Sequence, residues 1–182
     1  MNNAIGGVEV SSVAKGFFVA DAMLKAARVR LLISRSICPG KYLIIVAGEV
    51  AETKSSCEAA EKKAGVSLID TFLIPNVHPD VIEAVGQSVV EDRIESLGII
   101  EGFSVSALIE AADAAVKAAS VKLLEITLAM ALGGKAFASF TGSVAAVETA
   151  AKAGSAVLSQ KGLLVGFEVI PQPKKELIRE II

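Results

Sequence analysis

The feature that most constrains this 182-residue sequence is that its second half repeats its first. At an offset of 92 residues, Ala-Asp-Ala at 20–22 recurs at 112–114, and Lys-Ala-Ala at 25–27 recurs at 117–119. The offset widens to 96 where Ile-Pro at 74–75 meets Ile-Pro at 170–171, through short insertions placed at loops, where they cost little. A repeat of this length marks a duplicated structural unit. We therefore predict two homologous domains, 1–90 and 91–182, joined near residues 86–95.

Both halves predict the same order of elements, β-α-β-β-α-β, from their apolar periodicity and turn residues. The predicted elements are 5–10, 13–27, 29–37, 42–50, 51–63 and 66–74 in the first half, and 97–102, 105–119, 121–131, 136–144, 145–159 and 163–170 in the second. A short helix closes each half. Ser11 or Ser12, and Phe103 or Ser104, open the first helix of each half. The order indicates an α+β chain of two tandem ferredoxin-like domains.

The first helix of each half has apolar residues at three- and four-residue spacing. We expect these stripes to face the cores. The stripe of the first half consists of Phe17, Ala20, Leu24 and Ala27, and that of the second half consists of Leu108, Ala112, Ala115 and Ala119.

Composition excludes several classes of function. A net charge of −2 provides no basic field for nucleic acid or an anionic membrane. Mean hydropathy is high at +0.60, yet no apolar run approaches the roughly 18 residues of a membrane-spanning helix. The first nine residues do not read as a signal peptide. Two cysteines do not form a disulfide framework and suggest a reducing, cytoplasmic compartment. The surplus apolar surface then predicts a homo-oligomer.

The repeated segments resemble a known family. The motif at 20–27, the Gly-Glu-Val at 48–50 with its Ala-rich helix, and the Ile-Pro pairs look like the shell-protein domain of bacterial microcompartments. Two unpermuted copies resemble the tandem-domain class, which implies a homotrimer that imitates a hexagonal tile in the compartment shell. The resemblance implies other shell proteins and an enclosed redox enzyme as partners.

The tetrapeptide Cys38-Pro39-Gly40-Lys41 resembles the T-type shell proteins of propanediol-utilisation compartments. That resemblance implies one [4Fe–4S] cluster per trimer, held by Cys38 from three chains, and electron transfer across the shell. It also implies that the turns after the second strands surround a central pore. The residues expected to line this pore are Ile37, Pro39, Gly40, Leu132, Gly133 and Gly134.

The family also implies edge residues where neighbouring tiles meet. Lys25 and Lys117 take these places in the two halves, and their simplest role is an i,i+4 ion pair with Asp21 and Asp113. The family commonly has an Arg after the Ile-Pro step, whereas this chain has Asn76 and Gln172. Contact between tiles is therefore expected to be weaker or differently built.

Other candidate residues favour structural roles. Cys57, in an Ala-rich helix, is expected to be packed, and His78 to be a surface or capping residue. No catalytic constellation is present, so an enzyme is the least favoured class. Two alternatives to the iron–sulfur tile stay open. One is a shell tile with a metal-free metabolite pore, and the other is a trimeric regulatory protein that binds a small ligand between subunits.

Overall fold

The computed structural model describes residues 4–86, 94–128 and 133–178. The chain divides into two compact units, Met1–Val77 (unit 1) and His78–Ile182 (unit 2). The predicted domain boundary at 90/91 lies outside the described residues and stays a prediction. None of the described helices is long and apolar enough to cross a membrane.

Unit 1 folds in the predicted β-α-β-β-α-β order. Its elements are β1 (Ala4–Val10), α1 (Val13–Ala26), β2 (Arg30–Ile37), β3 (Lys41–Gly48), α2 (Val50–Ala64) and β4 (Leu68–Pro75). The strands form one antiparallel sheet in the order β2-β3-β1-β4. Strand β4 starts two residues later than predicted, because Gly65–Ser67 form a 3₁₀ turn. The sheet order confirms the ferredoxin-like fold.

Unit 2 repeats this arrangement with two additional helices, one before the first strand and one after the last. Its elements are α3 (Pro79–Gly86), β5 (Ser96–Gly102), α4 (Val105–Ala118), β6 (Lys122–Thr127), β7 (Ala136–Gly142), α5 (Val144–Gln160), β8 (Leu164–Pro171) and α6 (Lys175–Ile178). The sheet order is β6-β7-β5-β8. Although α3 follows β4 in the sequence, it packs against β6 and α4 and so belongs to unit 2.

Serine caps position the two equivalent helices. The Ser12 hydroxyl accepts a hydrogen bond from the backbone N–H of Lys15 (3.3 Å), and Ser104 accepts one from Ala107 (3.2 Å). Each bond satisfies an N–H group that would otherwise lack a helical partner. The caps confirm two of the predicted helix starts and select Ser12 over Ser11.

The prediction of which α1 residues face the core is partly wrong. The residues of α1 that are buried are Gly16, Val19, Ala20 and Met23, whereas Phe17 and Leu24 are exposed. The apolar residues of α1 extend around the helix, so a 3.6-residue period fits two stripes equally well. In α4 the predicted residues Leu108, Ala112 and Ala115 are buried, as expected. Ala27 and Ala119, the last members of the two predicted stripes, directly follow their helices and are half-buried.

Candidate functional site: the hairpin turns

Cys38 lies at the tip of the hairpin between β2 and β3. The last paired residues are Ile37 and Lys41, so Cys38, Pro39 and Gly40 form a three-residue turn. Ile37 is buried, Cys38 is half-buried with a free thiol, and Pro39 and Gly40 are exposed. The turn therefore leaves Cys38 partly accessible at the end of a paired hairpin.

Gly40 allows this turn to close because its backbone is left-handed. Its φ angle is +73°, a region that glycine enters without the steric cost that other residues have. A Cβ atom built on Gly40 would meet no neighbour within 4 Å. Glycine is thus favoured at position 40 by its backbone conformation, and not by any lack of room for a side chain.

The corresponding turn of unit 2 is also built on glycine. Gly133 and Gly134 have φ angles of +61° and +88° and precede Lys135. Leu132, the residue at the position of Cys38, lies outside the described residues. The sequence places no cysteine in this turn, so each chain offers one turn thiol.

A lysine after each turn is paired with a glutamate on the central strand. Lys41 Nζ lies 3.2 Å from Glu9 on β1, and Lys135 Nζ lies 2.5 Å from Glu101 on β5. The sequence analysis did not identify these two ion pairs. The signal was available, since both glutamates and both lysines recur at matching places of the repeat. The ion pairs tie the base of each turn to its sheet.

The two ion pairs differ in burial, and we expect unequal effects when they are broken. The Glu9 side chain is 1% exposed and that of Glu101 is 34% exposed. Lys41→Met should lower the free energy of unfolding by about 3 kcal/mol, since it removes the cation beside a buried carboxylate. Lys135→Met, the matched control, should cost under about 1 kcal/mol. Urea denaturation of both variants at one protein concentration measures the difference. Equal losses of unfolding free energy would contradict the argument that burial makes the Lys41–Glu9 pair the more costly one to break.

Cys57 differs from Cys38 in its burial and in its place within a helix. It is buried in α2, and its Sγ lies 3.9 Å from the carbonyl oxygen of Phe72. Burial, with Glu61 and Glu58 nearby, raises the pKa of the Cys57 thiol to about 12. Because the thiolate is the form that binds metals, Cys57 is a poor ligand at neutral pH. The prediction that it is a packed helix residue is confirmed.

No group of three or more His, Cys, Asp or Glu side chains within the described part of one chain could hold a metal ion. A [4Fe–4S] cluster takes several thiolates. Of the two cysteines, Cys38 is half-buried and Cys57 is buried, so one chain offers one partly accessible thiol. The residues fit such a cluster only as a shared set, with one Cys38 from each of several copies.

The predicted edge residues occupy matching positions in the two units. Lys25 forms an ion pair with Asp21 (2.6 Å) and Lys117 with Asp113 (2.5 Å), which confirms both i,i+4 pairs. Both lysines are exposed. Their role at tile edges stays a prediction.

Asn76 and Gln172, which stand where the family commonly has Arg, are exposed and share an unusual backbone. Their φ angles are +51° and +46°. The chain therefore makes the same left-handed bend after β4 and after β8. Asn tolerates this region better than Gln does.

His78 caps the helix that follows it. Its Nδ1 accepts a hydrogen bond from the backbone N–H of Asp80 (3.3 Å) at the start of α3. This confirms the expectation of a capping histidine.

Comparison with known proteins identifies the repeat. The BMC domain family matches residues 4–77 and again 96–173. The bacterial microcompartment shell protein PduT of Citrobacter freundii is 40% identical over 182 residues, covering 100% of this chain and 99% of that protein. The shell protein EutM of Salmonella typhimurium is 45% identical over 84 residues, covering 46% of this chain and 85% of that protein.

Solved structures agree in fold. A microcompartment protein from Desulfitobacterium hafniense DCB superimposes with a TM-score of 0.92 at 47% identity, covering 97% of this chain and 98% of that one. The fused permuted hexameric shell protein MSM0275 shares the fold with a TM-score of 0.63 at 22% identity, covering 86% of this chain and 83% of that one. With two matched domains and a full-length relative, the chain belongs to the BMC domain family of bacterial microcompartment shell proteins, with its two domains in tandem.

Proposed function

We propose that this shell protein is a homotrimeric tile in which Cys38 from three copies holds one [4Fe–4S] cluster. The observation that carries the proposal is the position of Cys38, a free and half-buried thiol at the tip of a glycine-closed hairpin. The full-length likeness to a protein named PduT supports it. Three-fold symmetry would turn one thiolate per chain into three, and the fourth iron would stay open to a small external ligand.

The chemistry of the turn is suited to this role. Thiolates are the usual ligands of iron–sulfur clusters. The backbone N–H groups of Gly40 and Lys41 follow Cys38 by two and three residues, and hydrogen bonds from such groups to cluster sulfur would raise the reduction potential. When bound, the cluster supplies a redox centre for electron transfer across the shell. Pro39, Gly40 and the second turn, with Gly133 and Gly134, would surround it.

The proposal makes the chain a structural protein rather than an enzyme. Its partners would be its own copies, other shell proteins and an enclosed redox enzyme, and it would reside in the shell of a microcompartment. The relatives cited above are named as shell proteins, which supports this assignment. Lys25, Lys117, Asn76 and Gln172 would then lie where tiles meet.

Iron content and oligomer mass of anaerobically purified protein test the proposal together. We expect a trimer by native mass spectrometry, with about four irons and four acid-labile sulfides per trimer. A trimer without iron and sulfide would instead support a tile with a metal-free pore. Electron microscopy of concentrated protein should show flat hexagonal arrays. Trimers that never form sheets would favour the regulatory, ligand-binding alternative.

A further inference from the structure

We propose that α6 of one copy packs on an exposed face of unit 1 in a second copy, in the way that α3 packs within unit 2. This inference rests on the homotrimer of the proposed function and names the surfaces that join its copies. The acceptor, called the α1/β2 face, consists of Val13, Phe17, Asp21, Leu24, Arg30 and Leu31. Its counterpart in unit 2, called the α4/β6 face, consists of Val105, Ile109, Asp113, Val116, Lys122 and Leu123.

The two faces are equivalent in sequence but opposite in exposure. On the α1/β2 face, Val13, Phe17, Leu24 and Leu31 are 39%, 64%, 41% and 39% exposed. Their counterparts Val105, Ile109, Val116 and Leu123 are 1%, 0%, 5% and 0% exposed. Four large apolar side chains exposed on one face are more than scattered surface residues, and a contiguous patch of this kind marks an interaction site. The α1/β2 face is therefore the uncovered version of a face that unit 2 buries.

Within unit 2, α3 shows what packs on such a face. It lies against β6 and α4, and its Val81, Ala84 and Val85 are buried. Polar contacts fix its position. The backbone N–H of His78 donates to Asp113 Oδ1 (2.8 Å), and Lys122 Nζ lies 3.3 Å from Asp80 Oδ1.

Helix α6 carries the same recognition chemistry as α3. At the repeat offset of 96, Glu176 takes the place of Asp80 and Leu177 takes the place of Val81. None of the residues of α6 is buried, and Leu177 is 42% exposed. In its own copy, then, α6 is an unpacked helix that presents an acidic and an apolar side chain.

The acceptor face supplies the complementary groups. Arg30 takes the place of Lys122 and Asp21 the place of Asp113. Arg30 and Glu176 are both exposed, and neither forms an ion pair with any residue in the described ranges. By analogy with α3, Glu176 of the second copy would pair with Arg30, Leu177 would pack between Leu24 and Leu31, and the backbone N–H of Lys174 would donate to Asp21.

This contact joins two different surfaces, α6 on one copy and the α1/β2 face on the next. Such head-to-tail contacts generate a ring when the rotation between copies closes. Within the proposed trimer, three α6 helices would cover three α1/β2 faces, and the exposed apolar patch of every copy would be buried.

The test uses the full chain and compares two variants with the wild type by their trimer dissociation constant in a dilution series followed by native mass spectrometry. Leu177→Asp should raise the dissociation constant about tenfold or more, because an apolar anchor becomes a charge. Val66→Asp is the matched control, since Val66 is fully exposed in the 3₁₀ turn before β4, and it should leave the constant unchanged. Because Leu177 is exposed in its own copy, circular dichroism should show an intact fold for both variants.

Charge reversal identifies the partner of α6. Arg30→Glu and Glu176→Arg should each weaken the trimer, and the double variant should recover wild-type affinity. Wild-type affinity in Leu177→Asp and in both single reversals would overturn the α6 inference while the trimer stands. A wild-type chain that remains monomeric would instead overturn the trimer of the proposed function.

Discussion

Cys38→Ser is expected to abolish iron and sulfide binding and to leave the trimer intact. Serine keeps the size and hydrogen-bonding capacity of the side chain but is a poor ligand for the soft metal centre that thiolates prefer. The turn itself depends on Gly40 and on the Ile37–Lys41 pairing, neither of which changes. Iron analysis, sulfide analysis and native mass spectrometry of anaerobically purified protein measure the result.

Cys57→Ala is the matched control, because it removes the other thiol of the chain. It should keep the full iron content, since Cys57 is buried and its pKa is raised to about 12. Equal iron in wild type and in Cys38→Ser would refute the cluster assignment.

Mixed trimers distinguish a shared site from a site within one chain. If wild-type and Cys38→Ser chains are co-expressed in equal amounts and mix at random, roughly one eighth of the trimers contain three copies of Cys38. Iron content should then fall well below half of the wild-type value. A fall to half would mean that each chain binds iron independently, and the three-fold arrangement would be wrong.

The repeat made the element order predictable, because two weak patterns that agree support each other. Matching turns and matching serine caps fixed the order in both halves, and the structure confirms it. What a single sequence could not decide was which side of α1 faces the core. Val19 and Met23 define one apolar stripe, and Phe17 and Leu24 define a second. Which stripe is exposed depends on tertiary packing, and the periodicity of the sequence carries no information on that packing.

The position of the candidate ligand in a turn was predictable from the sequence, whereas its role as a ligand stays a prediction. Cys38 stands out because a Pro-Gly turn is a poor place to bury a thiol, and in the structure it is half-buried beside the exposed Pro39 and Gly40. The Lys41–Glu9 pair joins residues 32 positions apart. The repeat singles out both positions, but only the pairing of β1 with β3 shows that the two side chains meet. The assignment of α3 to unit 2 likewise depends on packing between segments that are distant in sequence.

Gly16→Leu is expected to destabilise the fold strongly, because α1 lies too close to the sheet for any side chain at this position. A Cβ atom on Gly16 would lie 2.3 Å from the Tyr42 ring, well inside contact distance. The higher helix propensity of Leu gains under about 1 kcal/mol, whereas overpacking of a core typically costs about 1–3 kcal/mol, and a whole leucine side chain is at the upper end of that range. Urea denaturation at fixed protein concentration should therefore show a net loss.

Unit 2 predicts the substitution that compensates. Its residues at the places of Gly16 and Tyr42 are Leu108 and Ala136, both fully buried, so the second domain fills the same helix–sheet space with the large and small residues exchanged. Tyr42→Ala alone should cost about 3 kcal/mol or more through the cavity it leaves and through loss of the 3.0 Å hydrogen bond to Ser34. In the Gly16→Leu/Tyr42→Ala double variant, the leucine occupies that cavity, and we expect the loss to be about 2 kcal/mol smaller than the sum of the single losses. Strictly additive losses would mean that the side chains at 16 and 42 do not compete for one packing space. The exchange of large and small residues between the two domains would then not be compensatory.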